Sequence, residues 1–515
     1  MQAHDALPRT HRHLWRIGAA VVLAAIAVGL FLFLKYWPFQ QDAVVRALRS
    51  GLSTNIQVAK FHEVFFPHPG CVMDGVVIGS SLPGGTPPPV TIQQLEIEGS
   101  YTSFLKSGTE ISSIRARGLH LLIPTYAHAT DSKGFPHVSA GDGSKFSIDQ
   151  LSLENAAIEI ASAPHDKDPL VFTVYHAQVG PVANGRVTKF DVQMKNPKPR
   201  GEIQCAGQIG PWNGKAADKT PLSGKFSFQQ ADLSTFPDIA GKLNARGKFN
   251  GRLGDLAVNG STDIPDFEIT RTKHSEHLKA AFDAIVNCMN GDTNLKSVSA
   301  QFGKTTVSAQ GSITDGNDKA GKTTSISMSV HDGRVQDVLH MFTQSDPPAL
   351  TGPINLTAKA VLPPDAGPFI RTLLLDGTFA MQNSRFTKPG TKENVKKLSE
   401  RARGITDDSP ESIESDSRAS VSLRDGVAHL SHLSFHVPGA TAKMAGTYSL
   451  VTERVNLAGT LRMEAELSES TKGVKSFLLK FIDPFFRHKK AGAVVPVKLG
   501  GTYSHPTFGL AVASK

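Results

Sequence analysis

VNLAGTLRMEAEL, residues 455–467, alternates without a break. Val455, Leu457, Gly459, Leu461, Met463, Ala465 and Leu467 fall on one face. Asn456, Ala458, Thr460, Arg462, Glu464 and Glu466 fall on the other. A period of two marks a β-strand with one apolar side. Fully extended, the stretch reaches about 43 Å, more than twice a usual strand. Its apolar side needs something to lie against beyond its own sheet. A second sheet is one solution, and an open apolar trough is the other.

Shorter copies of the alternation occur at Ile326, Met328 and Val330, at Phe226 and Phe228, and at Leu433, Phe435 and Val437. A loose motif accompanies them: glycine, a polar or basic residue, then usually an apolar one. It recurs as AGQI at Gly207, RGKF at Gly247, QGSI at Gly311, DGTF at Gly377, AGTY at Gly446, AGTL at Gly459 and GGTY at Gly501. Glycine weakens a strand but permits bulges, strong twist and curvature. Its irregular spacing predicts many similar strands in one bent sheet rather than a strict solenoid.

Outward from these strands, the N-terminus differs in kind. Residues 17–34 are eighteen consecutive positions without charge or proline. As a helix they would span about 27 Å, enough for a hydrocarbon core. Arg9, Arg12 and Arg16 precede the run, and Lys35, Tyr36 and Trp37 follow it. That flank predicts a cytoplasmic N-terminus of residues 1–16, an anchor over 17–36 and an exported body. A cleaved signal peptide would have a shorter core and a small-residue cleavage site, which KYWPFQQDAVV does not supply. After the anchor, QQDAVVRALRSGL places Val44, Val45, Leu48 and Leu52 at helical spacing, a short helix.

Two more helices interrupt the strands. One is basic, KENVKKLSERARG at 392–404, followed by the acidic loop ITDDSPESIESDS. The other lies within about 471–486, where Val474, Phe477, Leu478, Phe481 and Ile482 share a face among lysines and an arginine. That face suits a membrane interface, with Phe477, Leu478, Phe481 and Ile482 as its buried residues, and equally suits a cover over an open sheet end.

Of 515 residues, 40% are hydrophobic and 20% charged, an ordinary globular composition. The formal charge of +9 lies partly in the flanks of the apolar run, and no basic stripe is interleaved with aromatics. A nucleic-acid partner is therefore not expected. Cys71, Cys205 and Cys288 are far apart and odd in number. They lack zinc-ligand spacing and read as buried hydrophobes, though an exported location permits a disulfide between two of them.

The catalytic motifs mostly fail on context. GNDKAGKT, residues 316–323, matches a phosphate-binding loop in which Lys322 would meet phosphates and Thr323 a magnesium ion. Such a loop needs a helix after it, and SISMSV alternates as a strand. Alternation sets His429 opposite His432 and His436, with the latter two about 13 Å apart and unable to share a metal. His274 and His277 read as solvated. No nucleophile or metal constellation is evident, so neither an enzyme nor a cofactor is expected.

FFPHPGCVMDGVVIG (65–79), ISSIRARGLHLLIP (111–124), FSIDQLSLENAAIEI (146–160), NPKPRGEIQCAGQIGPW and LNARGKFNGRLGDLAVNGSTDIPDFEI follow one another in the chain. LLLDGTFAMQNSRFTKPG, HLSFHVPGATAKMAGTYSLVTERVNLAGTL and VPVKLGGTYSHPTFGL come after them. In order and combination these segments resemble the AsmA family of bacterial envelope proteins, over nearly the whole chain. The resemblance implies a mainly β fold: an N-terminal transmembrane helix, then an elongated, curved, mostly antiparallel sheet forming a groove, with a few short helices. It implies an N-terminal β region over 37–210 and a C-terminal groove region over 211–515. It further implies the inner membrane with a periplasmic body, phospholipid or another acyl-chain ligand, and outer-membrane or assembly proteins as partners. Phospholipid transport between the two membranes and outer-membrane biogenesis are the implied functions. Alternation assigns the groove wall to Leu433, Phe435, Val437, Val455, Leu457, Leu461, Met463 and Leu467. The competing expectation is a ligand-free envelope scaffold with a closed sheet, and a nucleotide-dependent enzyme using Lys322 is the third.

Overall fold

The computed structural model describes residues 37–52, 54–79, 89–101, 109–123, 146–160, 169–183, 185–213, 216–315, 321–364, 367–403, 413–463, 494–502 and 505–510. The expected anchor at 17–36, most of the phosphate-loop motif, Leu467 and the helix expected near 471–486 lie outside them. Among the described residues no helix is long and apolar enough to cross a membrane. The described chain is mainly β, with few and short helices.

Two compact units are present, Met1–Ala161 with Gly180–Asn184, and Ser162–Val179 with Gly185–Lys515. In the first, Ile56–Val64, Gly70–Ile78, Val90–Gly99 and Thr109–Ile123 pair in sequence, each antiparallel to the next. Phe146–Ile160 then lies parallel to Thr109–Ile123. Helix α1 (Gln41–Leu52) forms where the apolar spacing predicts it. Val44, Leu48 and Leu52 of α1 lie against Ile56, Met73, Val76 and Ile92 of the strands, so this sheet face is covered.

The second unit begins with Leu170–Gly180 beside Thr188–Pro197. Successive strands then pair antiparallel, from Arg200–Ile209 through Pro221–Asp232, Lys242–Arg252 and Asp255–Ile269 to Pro506–Leu510. Alternation continues through burial: over Val455–Met463, Val455, Leu457, Leu461 and Met463 are half-buried or buried while Asn456, Ala458, Thr460 and Arg462 are exposed. Among the described residues, the strands of this unit belong to one sheet, on which a few helices pack.

Bulges punctuate these strands in a repeated manner. Gln230, Asp332 and Asn383 have positive φ at register shifts. The freed N–H of each donates to a side chain on the adjoining strand, Gln230 to Asn244 Oδ1, Asp332 to Asn355 Oδ1 and Asn383 to Asp416 Oδ1. An extra residue bends its strand, and the Asn or Asp acceptor satisfies the donor that the ladder gives up.

Helices cover parts of the apolar face. Helix α2 (Val335–Phe342) meets Ile269, Phe302, Ile354 and Met381 through Val335, Val338 and Met341. Helix α3 (Phe369–Thr372) is a single turn with Ile370 buried. Helix α4 (Pro389–Arg403), the basic helix read from the sequence, seats Val395, Leu398 and Ala402 on Val437 and Ala440.

Candidate functional site

Directly paired residues on antiparallel strands share a face, so the register can be followed across the second unit. One line passes through Val192, Cys205, Phe226, Gly247, Gly260 and Phe282. It continues through Val298, Ala309, Met328, Ala358 and Gly377. It ends through Val421, Leu430, Gly446, Leu457 and Leu499. No polar side chain interrupts it. The neighbouring line on the opposite face reads Gln193, Gln204, Ser227, Arg246, Ser261, Ala281, Ser299, Ser308, Ser329, Thr357, Thr378 and Ser420. The sheet therefore has one apolar side and one hydroxyl-rich side. Phe226, Phe282, Val298 and Met328 are half-buried.

The recurrent glycines lie on the apolar side, with Gly247, Gly377 and Gly446 in the line itself and Gly207, Gly311 and Gly459 in neighbouring rows of the same face. At Gly207, Gly311, Gly446 and Gly459 a Cβ would overlap the carbonyl oxygen of Ser223, Ser325, Asn456 and Lys443 respectively. At Gly224, Gly247 and Gly260 it would also stand 2.6, 2.6 and 2.9 Å from the rings of Phe249, Phe226 and Phe282. These phenylalanines are the direct cross-strand partners of those glycines. A ring laid over a glycine restores apolar cover where the backbones come too close for a side chain, a known way of bending a sheet.

Two open cavities follow the strands. One, of about 920 Å³, is lined by Leu356, Phe379, Leu433 and Met444 together with Thr357, Ser420, Arg418 and Lys443. The other, of about 1240 Å³, runs past Phe226, Phe282, Val298 and Met328. Most of its lining comes from the polar-side neighbours of that line, including Lys225, Arg246, Lys248, Lys296 and Asp283.

The groove wall read from the sequence is divided. Val455 and Leu457 lie on the apolar side, Leu457 at 5% exposure. Leu433 lines the 920 Å³ cavity. Phe435, Leu461 and Met463 instead pack with Val437, at 0% exposure, beneath α4. Leu467, Phe477, Leu478, Phe481 and Ile482 lie outside the described residues. Alternation marks Phe226 and Met328 as strand residues but does not assign them, Phe282, Val298 or Phe379 to a surface. Their alignment depends on register between strands, for which the only sequence signal was the recurring glycine.

Lys322 opens the strand Lys322–Arg334, so the motif continues into a strand as its alternation predicts. Its Nζ sits 2.6 Å from Asp292 Oδ1 and 2.8 Å from Asp315 Oδ1, which engage the cation a phosphate would need. The histidine reading requires correction. The register slips between Leu430 and Leu433, with His432 at φ 53°. His429 and His436 consequently share the polar side, opposite Ser422 and Asp416. His277 is exposed and bonded to Asp263, whereas His274 is not simply solvated: its ring stacks on His340 with centroids 4.1 Å apart.

The three cysteines are unbonded. Burial, aided by Glu63, pushes the Cys71 thiol up to about 12, which makes it a poor nucleophile. Cys205 is half-buried on the apolar line, while Cys288 is exposed, contrary to its reading as a buried hydrophobe. Among the described residues no three His, Cys, Asp or Glu side chains are grouped to hold a metal. In comparisons with known proteins, no family model, curated protein or solved structure matches this chain.

Proposed function

We propose that this chain is a membrane-anchored lipid-binding protein whose long sheet carries acyl chains along its apolar side. The observation supporting this reading is the unbroken apolar line from Val192 to Leu499 on a face that, among the described residues, belongs to a single sheet. Partly exposed apolar surface on that scale is costly in water, at roughly 25 cal/mol per Å², and acyl chains are a chemically matched cover. The line runs across the strands, so a chain lying on it meets similar surface from one strand to the next. Nothing in the arrangement calls for covalent chemistry. The apolar run at 17–34 and its arginine flank support an inner-membrane anchor with the body in the periplasm, where phospholipid transfer or outer-membrane assembly is the AsmA-like role. Direction would come from another component, because a surface with equal affinity at both ends shifts no equilibrium.

The packing of α4 over Phe435, Leu461 and Met463 favours a second reading, a scaffold whose apolar face is closed by its own helices. One experiment separates them. The full chain in vesicles carrying phospholipids with photoreactive acyl tails should form adducts on the strands of Phe282, Val298 and Met328. Met328→Glu should reduce those adducts severalfold without unfolding, since a charge at a half-open site can stay hydrated. Ser329→Glu, on the polar side of the same strand, should leave them unchanged. Adducts confined to the anchor, in a folded protein, would sink the lipid reading and support the scaffold.

A further inference from the structure

At one end of the first unit's sheet, three separate segments bring aromatic rings together. Trp37 packs on Phe65 with centroids 4.7 Å apart and meets Phe39 edge-on at 5.9 Å. Tyr101 donates its hydroxyl hydrogen bond to the Phe65 carbonyl. The next residue turns the other way: Phe66 is 86% exposed, at the tip of a turn where residues 65–68 are all exposed. A phenylalanine held out at a braced turn has no role in the core beneath it.

Where the chain comes from indicates what covers this ring. The apolar run ends at Leu34, three residues before Trp37. Three residues reach at most about 11 Å, even fully extended. A bilayer's polar interface is about 5–8 Å deep on each side. If the run crosses a membrane, the Trp37–Phe65 knuckle is tethered at the headgroup layer, where aromatic side chains partition well. His62 and His68 are also exposed in this neighbourhood.

We propose that the turn at residues 65–68 is a second membrane contact, with Phe66 inserted at the boundary between headgroups and acyl chains beside the anchor. This rests on the anchoring reading above. Trp37 then acts as the strut that links anchor to turn, since it is buried against Phe65 rather than free to face lipid itself. Two points of attachment, instead of one flexible tether, would fix which end of the first unit faces the bilayer.

The test uses the full chain in phosphatidylcholine–phosphatidylglycerol vesicles, with or without bromine on the upper part of the acyl chains. One variant carries Phe66→Trp with Trp15, Trp37 and Trp212 changed to Phe; its far-ultraviolet circular dichroism should match the parent, while loss of the buried Trp37 indole lowers its thermal midpoint. A companion keeps only Trp15, beside the apolar run. The Phe66→Trp emission should be blue-shifted and should lose about half its intensity in brominated vesicles, as a ring at the interface would. Unquenched, water-like emission while Trp15 is quenched would overturn the contact and leave the anchor standing. Blue-shifted but unquenched emission would overturn it in favour of a protein covering the turn. Absence of quenching at both positions would remove the anchor and the contact together.

Discussion

Met73 and Met328 are both methionines on the apolar side of a strand, and they are in different physical states. Met73 is fully buried among Val76, Ile56 and Ile92, because α1 lies over that sheet. Met328 is half-buried on a line with Ala309 and Ala358 in a face that, among the described residues, belongs to a single sheet. The two units use the same alternation and differ in what is laid over it. In the first, the chain's own amphipathic helix removes the apolar face from water. In the second, α2 and α4 cover parts of the sheet and leave a long surface between strands that is only partly shielded. Alternation therefore reports which side is apolar, and not whether that side is finished.

Truncation is the strongest way to break this comparison. Met73→Ala should cost about 2–5 kcal/mol, the usual range for emptying a packed site. Met328→Ala should cost under about 2 kcal/mol, because fewer atoms surround the side chain. Chemical denaturation followed by probes placed in each unit would check this, as two units need not unfold together. Equal losses at both positions would mean that the long sheet is as closed as the first.

A second expectation sharpens the account of the bend. Gly311→Val puts a side chain into the Ser325 carbonyl and should cost about 1–3 kcal/mol through forced backbone movement. Gly390→Ala, at the start of α4 with nothing near its Cβ position, should change stability by less than about 0.5 kcal/mol. Paired thermal melts suffice, and a harmless Gly311→Val would mean that the recurring glycines are not what lets the strands approach.

The smallest effect concerns a surface ion pair in the second unit. Hydrogen bonds from Lys242 and Ser234 hold the Asp232 carboxyl down to about 2, from an ordinary 3.8. A depressed folded value means that its contribution is present above the ordinary value and is lost as pH falls through the folded one. The thermal midpoint of Asp232→Asn should thus lie slightly below that of the parent at neutral pH and converge with it near pH 2. A gap that widens on acidification would reverse the assignment. Solvent screening keeps the effect small, because the pair is at the surface.

Much of the strand content was legible without coordinates, because side-chain alternation is a local property. Ile326, Met328 and Val330 declare their strand, as do Val455, Leu457 and Leu461, and alternation after Thr323 places a strand where a phosphate loop needs a helix. The helices Gln41–Leu52 and Pro389–Arg403 were equally readable from their spacing and composition. His429 shows where local reading stopped. One inserted residue at His432 reversed the face of everything beyond it, because a period of two has no tolerance for a slip. That bulge is set by pairing with Ala440–Ser449, a neighbour whose register the sequence of Val427–Val437 does not contain.

The sequence by itself determined that this chain is built of strands with one apolar side, that glycines recur among them, and that an uncharged run of membrane-spanning length precedes them. Each of these depends on residues close together in the chain. Only the tertiary structure decided that the apolar sides join from Val192 to Leu499, that rings of Phe226, Phe249 and Phe282 lie over glycines on adjoining strands, and that α4 buries Val437 and Ala440 while Met328 stays half-buried. Those outcomes depend on register and on where a helix docks, which are settled by contacts between residues far apart in sequence.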